Sequence, residues 1–318
     1  MDRFVQVSTA EMQFGQQIEG FYVLKDAFLK TTTSGKPFLS GNISDKSGTI
    51  EIKSWDYTGP VGSADAGKIV KVRGEVTEYK GTFQLTVDRI RLASDGDVYD
   101  VTALVPTAPI NVEKTFEYLK NTAASLEDPE YRALCEKMLA DHAEALKKIP
   151  AAKSVHHSFL SGLLMHTANM VRTAEHLAGV YPKIINRSLL ITGTILHDFA
   201  KEEEFTFSEL GTVSEYSVRG DLLGHLVMGA QNVAKAAAEL GISEEKSLLL
   251  QHMILSHHGE PERGAAVVPK CAEAELLSLI DMIDSRMEIY AETLAEVEKG
   301  HFSGRVFALD KKLYRPEA

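Results

Sequence analysis

The chain has 318 residues, 44% of them hydrophobic and 25% charged, an ordinary composition for two folded domains that excludes a low-complexity protein. No stretch approaches the roughly 18 uninterrupted apolar residues of a membrane span, and residues 1–7 lack the basic-then-apolar order of a secretory signal, so no membrane partner and a cytoplasmic location are expected. The net charge of −11, from 34 basic and 45 acidic residues, speaks against a nucleic-acid partner, but residues 1–95 hold 12 side chains of each sign and the acidic excess lies wholly in the remainder.

Between Gln17 and Ala93 short strands are expected over 18–29, 38–45, 49–55, 68–79 and 82–92, separated by turn-forming words such as Thr33-Ser34-Gly35-Lys36-Pro37, Asp45-Lys46-Ser47-Gly48 and Tyr79-Lys80-Gly81. Ile50 and Ile52 alternate with Glu51 and Lys53, and Val70 and Val72 with Lys71 and Arg73, so each strand has a buried and a wet face. Five strands in about 80 residues, with a Gly-rich gap between Trp55 and Lys68, resemble an OB-fold barrel, and residues 1–95 are assigned to it. Such barrels stack bases on exposed aromatics while cations follow the backbone. Phe38, Trp55, Tyr57, Tyr79 and Phe83 are the stacking candidates, with Lys36, Lys53, Arg73 and Lys80 beside them. Trp55 shares parity with Glu51 and Lys53 and is expected outside; for Phe38 and Phe83 core and surface are equally open.

Residues 96–155 read as a turn-rich link followed by two connecting helices, 112–126 behind the cap Asn111 and 129–148 behind Asp128 with Pro129 at the first helical position. Phe116, Leu119, Leu134, Met138 and Leu146 are spaced for packing, and the isolated Cys135 and Cys271 read as plain thiols.

From residue 156 to 318 apolar runs lengthen and turn residues become rare, which predicts an all-α bundle with helices over 159–180, 188–204, 222–240, 243–257 and 271–298. Five of these segments carry metal-ligand residue types: His166, the pair His197-Asp198, His225, the pair His257-His258, and Asp281. Seven such residues exceed the needs of one ion. Two divalent ions sharing the Asp198 carboxylate would use them well and leave positions for water or phosphate oxygens, adding about four positive charges where a phosphate must sit. Lys201, one turn after Asp198, either donates to a phosphate oxygen, fixes the aspartate, or is an exposed lysine of the run Lys201-Glu202-Glu203-Glu204. His156 and His157 read as substrate contacts or plain surface; His142, His176, His252 and His301 are set aside as structural.

The order of these residues resembles the HD-domain phosphohydrolases in their two-metal form. The words Gly162-Leu163-Leu164-Met165-His166-Thr167, Leu223-Gly224-His225-Leu226-Val227-Met228-Gly229 and Met253-Ile254-Leu255-Ser256-His257-His258-Gly259-Glu260, behind a β-rich module, are similar to the YhaM family of 3′→5′ exoribonucleases. Met165 stands where that family commonly has Glu, and Phe199-Ala200 replace its Ile-Gly. The resemblance implies a multidomain α+β chain, an OB barrel followed by an HD-domain bundle. It implies that His166, His197, Asp198 and Asp281 hold one ion and Asp198, His225, His257 and His258 the other. Asp198 and Lys201 are then the catalytic residues, and Asp284 with Arg286 supports the shell or the substrate. It further implies hydrolysis of single-stranded RNA from the 3′ end to nucleoside 5′-monophosphates, with Mn²⁺ first among ions that include Mg²⁺, Co²⁺ and Fe.

Single-stranded DNA stays open as a second substrate, and the Leu-, Ala- and Met-rich helices leave room for a homo-oligomer. Two rival readings share the same residues: an HD phosphohydrolase of free or cyclic nucleotides, and a non-catalytic single-strand-binding protein whose metal is structural.

Overall fold

The computed structural model describes residues 5–151, 159–207, 210 and 213–317, with backbone alone at Ser214. They form two compact units, the first made of the residues up to Thr107 with Leu210, the second of the remaining residues from Ala108 on.

The first unit is a closed five-stranded barrel in the order β1-β2-β3-β5-β4, with β1 Gln17–Thr31, β2 Pro37–Asp45, β3 Gly48–Trp55, β4 Ile69–Tyr79 and β5 Thr82–Leu92. All contacts are antiparallel except β3 with β5, which run parallel over Glu51–Lys53 against Gln84–Thr86 and close the cylinder. This is the OB topology, on the strands expected to within two residues at either end. Alternation builds the core: Ile18, Leu39, Ile43, Ile52, Val70, Val72 and Leu85 are fully buried, each large aliphatic contributing about 1.5–3 kcal/mol. A short helix α1, Val101–Leu104, belongs to the same unit, where Lys46 N–H donates to the Ala103 carbonyl (3.3 Å).

The second unit is mainly helical. Its helices are α2 Val112–Ala124, α3 Pro129–Asp141, α4 Ala143–Leu146, α5 Gly162–Val180, α6 Arg187–Leu196, α7 Lys201–Glu204, α8 Val218–Leu240, α9 Glu244–Ser256 and α10 Ala272–Ala295. Asn111 and Asp128 cap α2 and α3 as expected, accepting from Lys114 N–H and from Glu130 and Tyr131 N–H. The helices expected to connect two domains are part of this unit's own core, where Phe116, Leu119, Leu134, Met138 and Leu146 pack with Leu163, Leu190 and Met253. Cys135 lies buried there and Cys271 half-buried.

The helical bundle is as expected, with two local differences among the described residues. Two antiparallel hairpins accompany the helices, β6 Phe205–Phe207 with β7 Val213–Tyr216, and β8 Phe302–Val306 with β9 Lys311–Tyr314. The segment expected as one helix over 188–204 is broken, because the chain turns at His197–Ala200 between α6 and α7. The long helix α8 is interrupted as well, at Gly224, whose φ of 69° and ψ of 161° suit glycine alone and start a new helical segment at His225. No helix among the described residues is long and apolar enough to cross a membrane.

Candidate metal centre

These breaks place the ligand-type side chains. His197 and His257 cap the C-terminal ends of α6 and α9, His225 follows the Gly224 break, and His166 and Asp281 lie inside α5 and α10. All seven expected residues converge. His225, His257 and His258 form one group and His166, His197 and Asp198 a second, each with its donor atoms within 4.8 Å of one another. Asp281 joins the second through its Oδ1, 3.3 Å from His166 Nε2.

Asp198 stands between the groups, with one oxygen toward each. Its Oδ1 is 3.5 Å from His225 Nε2 and 3.6 Å from His257 Nε2. Its Oδ2 is 3.3 Å from His197 Nε2 and 3.9 Å from His166 Nε2. The carboxylate is buried.

Four of the five imidazoles are oriented through Nδ1. His197 and His257 donate to the carbonyls of Thr194 and Ile254, each at 2.8 Å. A carbonyl can only accept, so both rings carry their proton on Nδ1 when neutral and turn an Nε2 lone pair inward. His166 Nδ1 meets Asp284 Oδ2 at 2.7 Å. Glu204 holds His225 twice, its Oε1 accepting from the ring Nδ1 (2.9 Å) and from the backbone N–H (3.0 Å) that the Gly224 break leaves without a helical partner.

The donor set fits divalent cations. His197 Nε2, Asp198 Oδ1, His225 Nε2 and His258 Nδ1 are buried and lack a hydrogen-bond partner among the described residues. So many orphaned polar atoms in one place would cost several kcal/mol unless a ligand satisfied them. Mixed imidazole and carboxylate donors suit Mn, Fe, Co or Zn better than the all-oxygen sites of Mg and Ca.

Electrostatics follow the same division. Burial opposes ionisation of Asp198, but Lys201 and then His197 outweigh it and hold the carboxyl well below its ordinary range. Lys201 Nζ donates to Asp198 Oδ2 at 2.6 Å and is mostly buried, so it is no exposed lysine. Burial pulls His166 down, yet Asp281 and Asp284 raise it to about 9. His257 moves the opposite way, because burial and neighbouring His197 both disfavour its cation.

The centre lies on one wall of a cavity of about 590 Å³, within the range of small-ligand sites. Arg286, Arg263 and Tyr216 also line it, Tyr216 with its ring 5.1 Å from Phe205. Arg286 thus faces the cavity, whereas Asp284 orients His166. Sequence reasoning missed Glu204 and Arg263. Glu204 belongs to an acidic run whose other members are more exposed, and the apolar Phe205 directly after it was the available signal. His156 and His157 lie outside the described residues.

On the barrel, Trp55, Tyr79 and Phe83 are 52%, 54% and 45% exposed. Phe38 is half-buried against Trp55, ring centroids 5.0 Å apart. Lys53 and Lys80 lie over the Tyr79 ring at 5.0 and 5.3 Å, and Lys36 pairs with Asp56. Tyr57 is a correction: it is buried, and its hydroxyl accepts from Val61 N–H (2.8 Å), so it offers no stacking face.

Comparison with known proteins agrees with both units. Residues 23–93 match the model of an OB-fold nucleic acid binding domain, and residues 163–286 match the HD domain. Among solved structures, a domain of replication protein A from Methanococcus maripaludis aligns at 21% identity and a TM-score of 0.23, over 27% of this chain and 92% of that one. An OB domain from Thermoplasma acidophilum aligns at 18% identity and 0.22, over 30% and 90%. A chain of a replication protein A heterotrimer bound to ssDNA aligns at 16% and 0.20, over 26% of this chain and 61% of that one, less than two thirds of its length. The protein thus joins an OB barrel to a helical HD domain.

Proposed function

We propose that the protein is a metal-dependent 3′→5′ exoribonuclease that hydrolyses single-stranded RNA to nucleoside 5′-monophosphates, with Mn²⁺ as the first candidate ion. The observation that carries the hydrolase reading is Asp198, one carboxylate whose two oxygens face two separate histidine groups. His166, His197, Asp198 and Asp281 would hold one ion; Asp198, His225, His257 and His258 would hold the other. When bound, such a pair lowers the pKa of water toward neutrality and neutralises charge on the phosphate oxygens.

The chain's own residues do the rest. Lys201 keeps Asp198 ionised. Thr194, Ile254, Asp284 and Glu204 fix four imidazoles before substrate arrives, so orientation is not paid for during the reaction. Tyr216, exposed and backed by the buried Phe205, offers an aromatic face for a base in a cavity of nucleotide size. In the barrel, Trp55, Tyr79 and Phe83, with Phe38 behind Trp55, supply stacking surfaces and Lys36, Lys53 and Lys80 the cations. RNA as the substrate, and 3′→5′ polarity, are supported by the sequence resemblance rather than by the geometry.

A second reading, hydrolysis of free or cyclic nucleotides, is favoured by the same cavity size. The test incubates 5′-labelled single-stranded RNA with the protein and Mn²⁺, beside Asp198→Ala. A ladder shortening from the 3′ end, absent in the variant and stopped by a blocked 3′ terminus, is expected. Internal cuts in the blocked substrate would overturn the polarity, and turnover confined to small nucleotides would favour the second reading.

A further inference from the structure

Ligation does not account for the cationic side of the cavity. Arg263 ends the short turn Pro261–Arg263 that follows His257-His258. That turn is tied back to the ligand segment: Glu260 N–H donates to the His258 carbonyl (3.1 Å), Gly264 N–H to Pro261 (2.9 Å) and Ala266 N–H to Leu255 (3.0 Å). Gly259 allows the reversal, with φ of 79° and a position where a Cβ would lie 2.7 Å from Ser278 Oγ. The guanidinium is therefore delivered to the cavity by the same fixed loop that carries two candidate ligands.

Several arginines of this chain have oxygen partners: Arg132, Arg172 and Arg315 donate to neutral oxygens. Arg91, Arg187, Arg219 and Arg305 each pair with a carboxylate, as expected where 45 acidic side chains are available. Among the described residues, Arg263 has one polar contact, the Met282 thioether sulfur at 3.4 Å, a weak acceptor. Arg286, five positions after Asp281, lines the same cavity with neither a hydrogen bond nor an ion pair among the described residues. Two planar, permanently charged forks kept off carboxylates beside a phosphate-handling centre are suited to a further oxyanion.

We infer that Arg263, assisted by Arg286, binds the phosphate that flanks the one at the metal centre, so that the site selects substrates with two adjacent phosphates over a lone phosphodiester. The inference rests on the phosphohydrolase reading, and its test separates the two. With Mn²⁺-loaded full-length protein, calorimetry compares thymidine 5′-monophosphate with thymidine 3′,5′-bisphosphate, and kinetics compares bis(p-nitrophenyl) phosphate with a trinucleotide. The unmodified protein is expected to bind the bisphosphate about tenfold more tightly. Arg263→Ala should lose that preference, and its kcat/KM on the trinucleotide should fall about tenfold further than on the small diester, mainly through KM. Arg263→Lys should keep part of both, and Arg286→Ala should show the same signature more weakly. Both arginines are exposed, so neither substitution threatens the fold. A bisphosphate preference that survives in Arg263→Ala, or equal losses on both substrates, overturns the clamp while leaving the hydrolase in place. If the unmodified protein cleaves neither substrate but Arg263→Ala still abolishes the preference, the clamp stands and the hydrolase reading falls.

Discussion

The barrel and the helical unit hold their candidate functional atoms in opposite ways. In the barrel, the aromatics and lysines stand outside a closed apolar core, held by ring stacking and cation–π contacts at about 5 Å and by the surface ion pairs of Lys36 with Asp56 and Lys53 with Glu51. In the helical unit, the imidazoles and carboxylates are drawn inside, and four rings are fixed by a second partner within 3 Å. The difference follows from the ligands proposed for each. A nucleotide strand is flexible and is held by several interchangeable stacking surfaces, none of which must be exact. A metal pair demands fixed donors, and fixing them requires burial and a supporting shell.

The strongest way to break this contrast is at Asp198. Asp198→Ala should strip the centre of its bridge: metal content by elemental assay should fall from the two ions proposed per chain toward none, and phosphodiester hydrolysis on the order of 10³-fold. If the variant retains both ions, the buried cluster is not where metal binds and the comparison collapses.

The next effect belongs to the shell. Glu204→Ala removes both hydrogen bonds that place His225, and metal affinity should fall by about 10–100-fold in a Mn²⁺ titration. Glu204→Gln, whose carbonyl oxygen can still accept, should recover part of the loss. Equal affinities for all three forms would mean that His225 needs no second partner, and the helical site would then resemble the barrel's loosely held one.

The two units were also unequally legible. Strand parity decides which way each side chain points, so the exposure of Trp55 follows from its place two residues after Lys53, and the five strands could be bounded from alternation and turn chemistry alone. Helical periodicity identifies apolar faces but says nothing about where a helix stops being one. The breaks at His197–Ala200 and at Gly224, which aim Asp198 and His225 inward, interrupt that pattern, and expected helices over 188–204 and 222–240 concealed them. The expected ligand set rested on its resemblance to a known order of residues. Glu204 and Arg263 lay outside that order, and only tertiary contacts reveal what they face.

For the barrel, the contrast predicts graded rather than total losses. Trp55→Ala and Tyr79→Ala should each weaken single-stranded RNA binding by about 1–3 kcal/mol in fluorescence anisotropy, the usual value of one stacked base. Lys53 lies over the Tyr79 ring and shares the outer face of β3 with Trp55, so the double variant should lose slightly less than the sum of the two single losses. Lys53→Ala should cost less than either. Loss of all binding from one of these changes would show that the barrel depends on a single fixed contact, as the helical unit does.

The smallest effect tests whether the barrel contains any fixed polar centre of its own. Asp45 is the nearest to one: it accepts from Thr9 N–H and Oγ1 and from Ser47 N–H, each at 2.8 Å, and so ties the segment before β1 to the β2–β3 turn. Burial raises its pKa, but the bonds from Ser47 and Thr9 outweigh burial and hold it below the ordinary value of 3.8. A carboxyl depressed on folding stabilises above its unfolded pKa, and that contribution disappears as pH falls through the folded value. Asp45→Asn should therefore destabilise the barrel by about 1 kcal/mol near neutrality in a urea melt, and the gap between variant and parent should close below about pH 3.8. A gap that stays constant down to pH 2 would mean that Asp45 acts through its shape and not its charge, leaving the barrel without an ionised centre of the kind on which the helical unit is built.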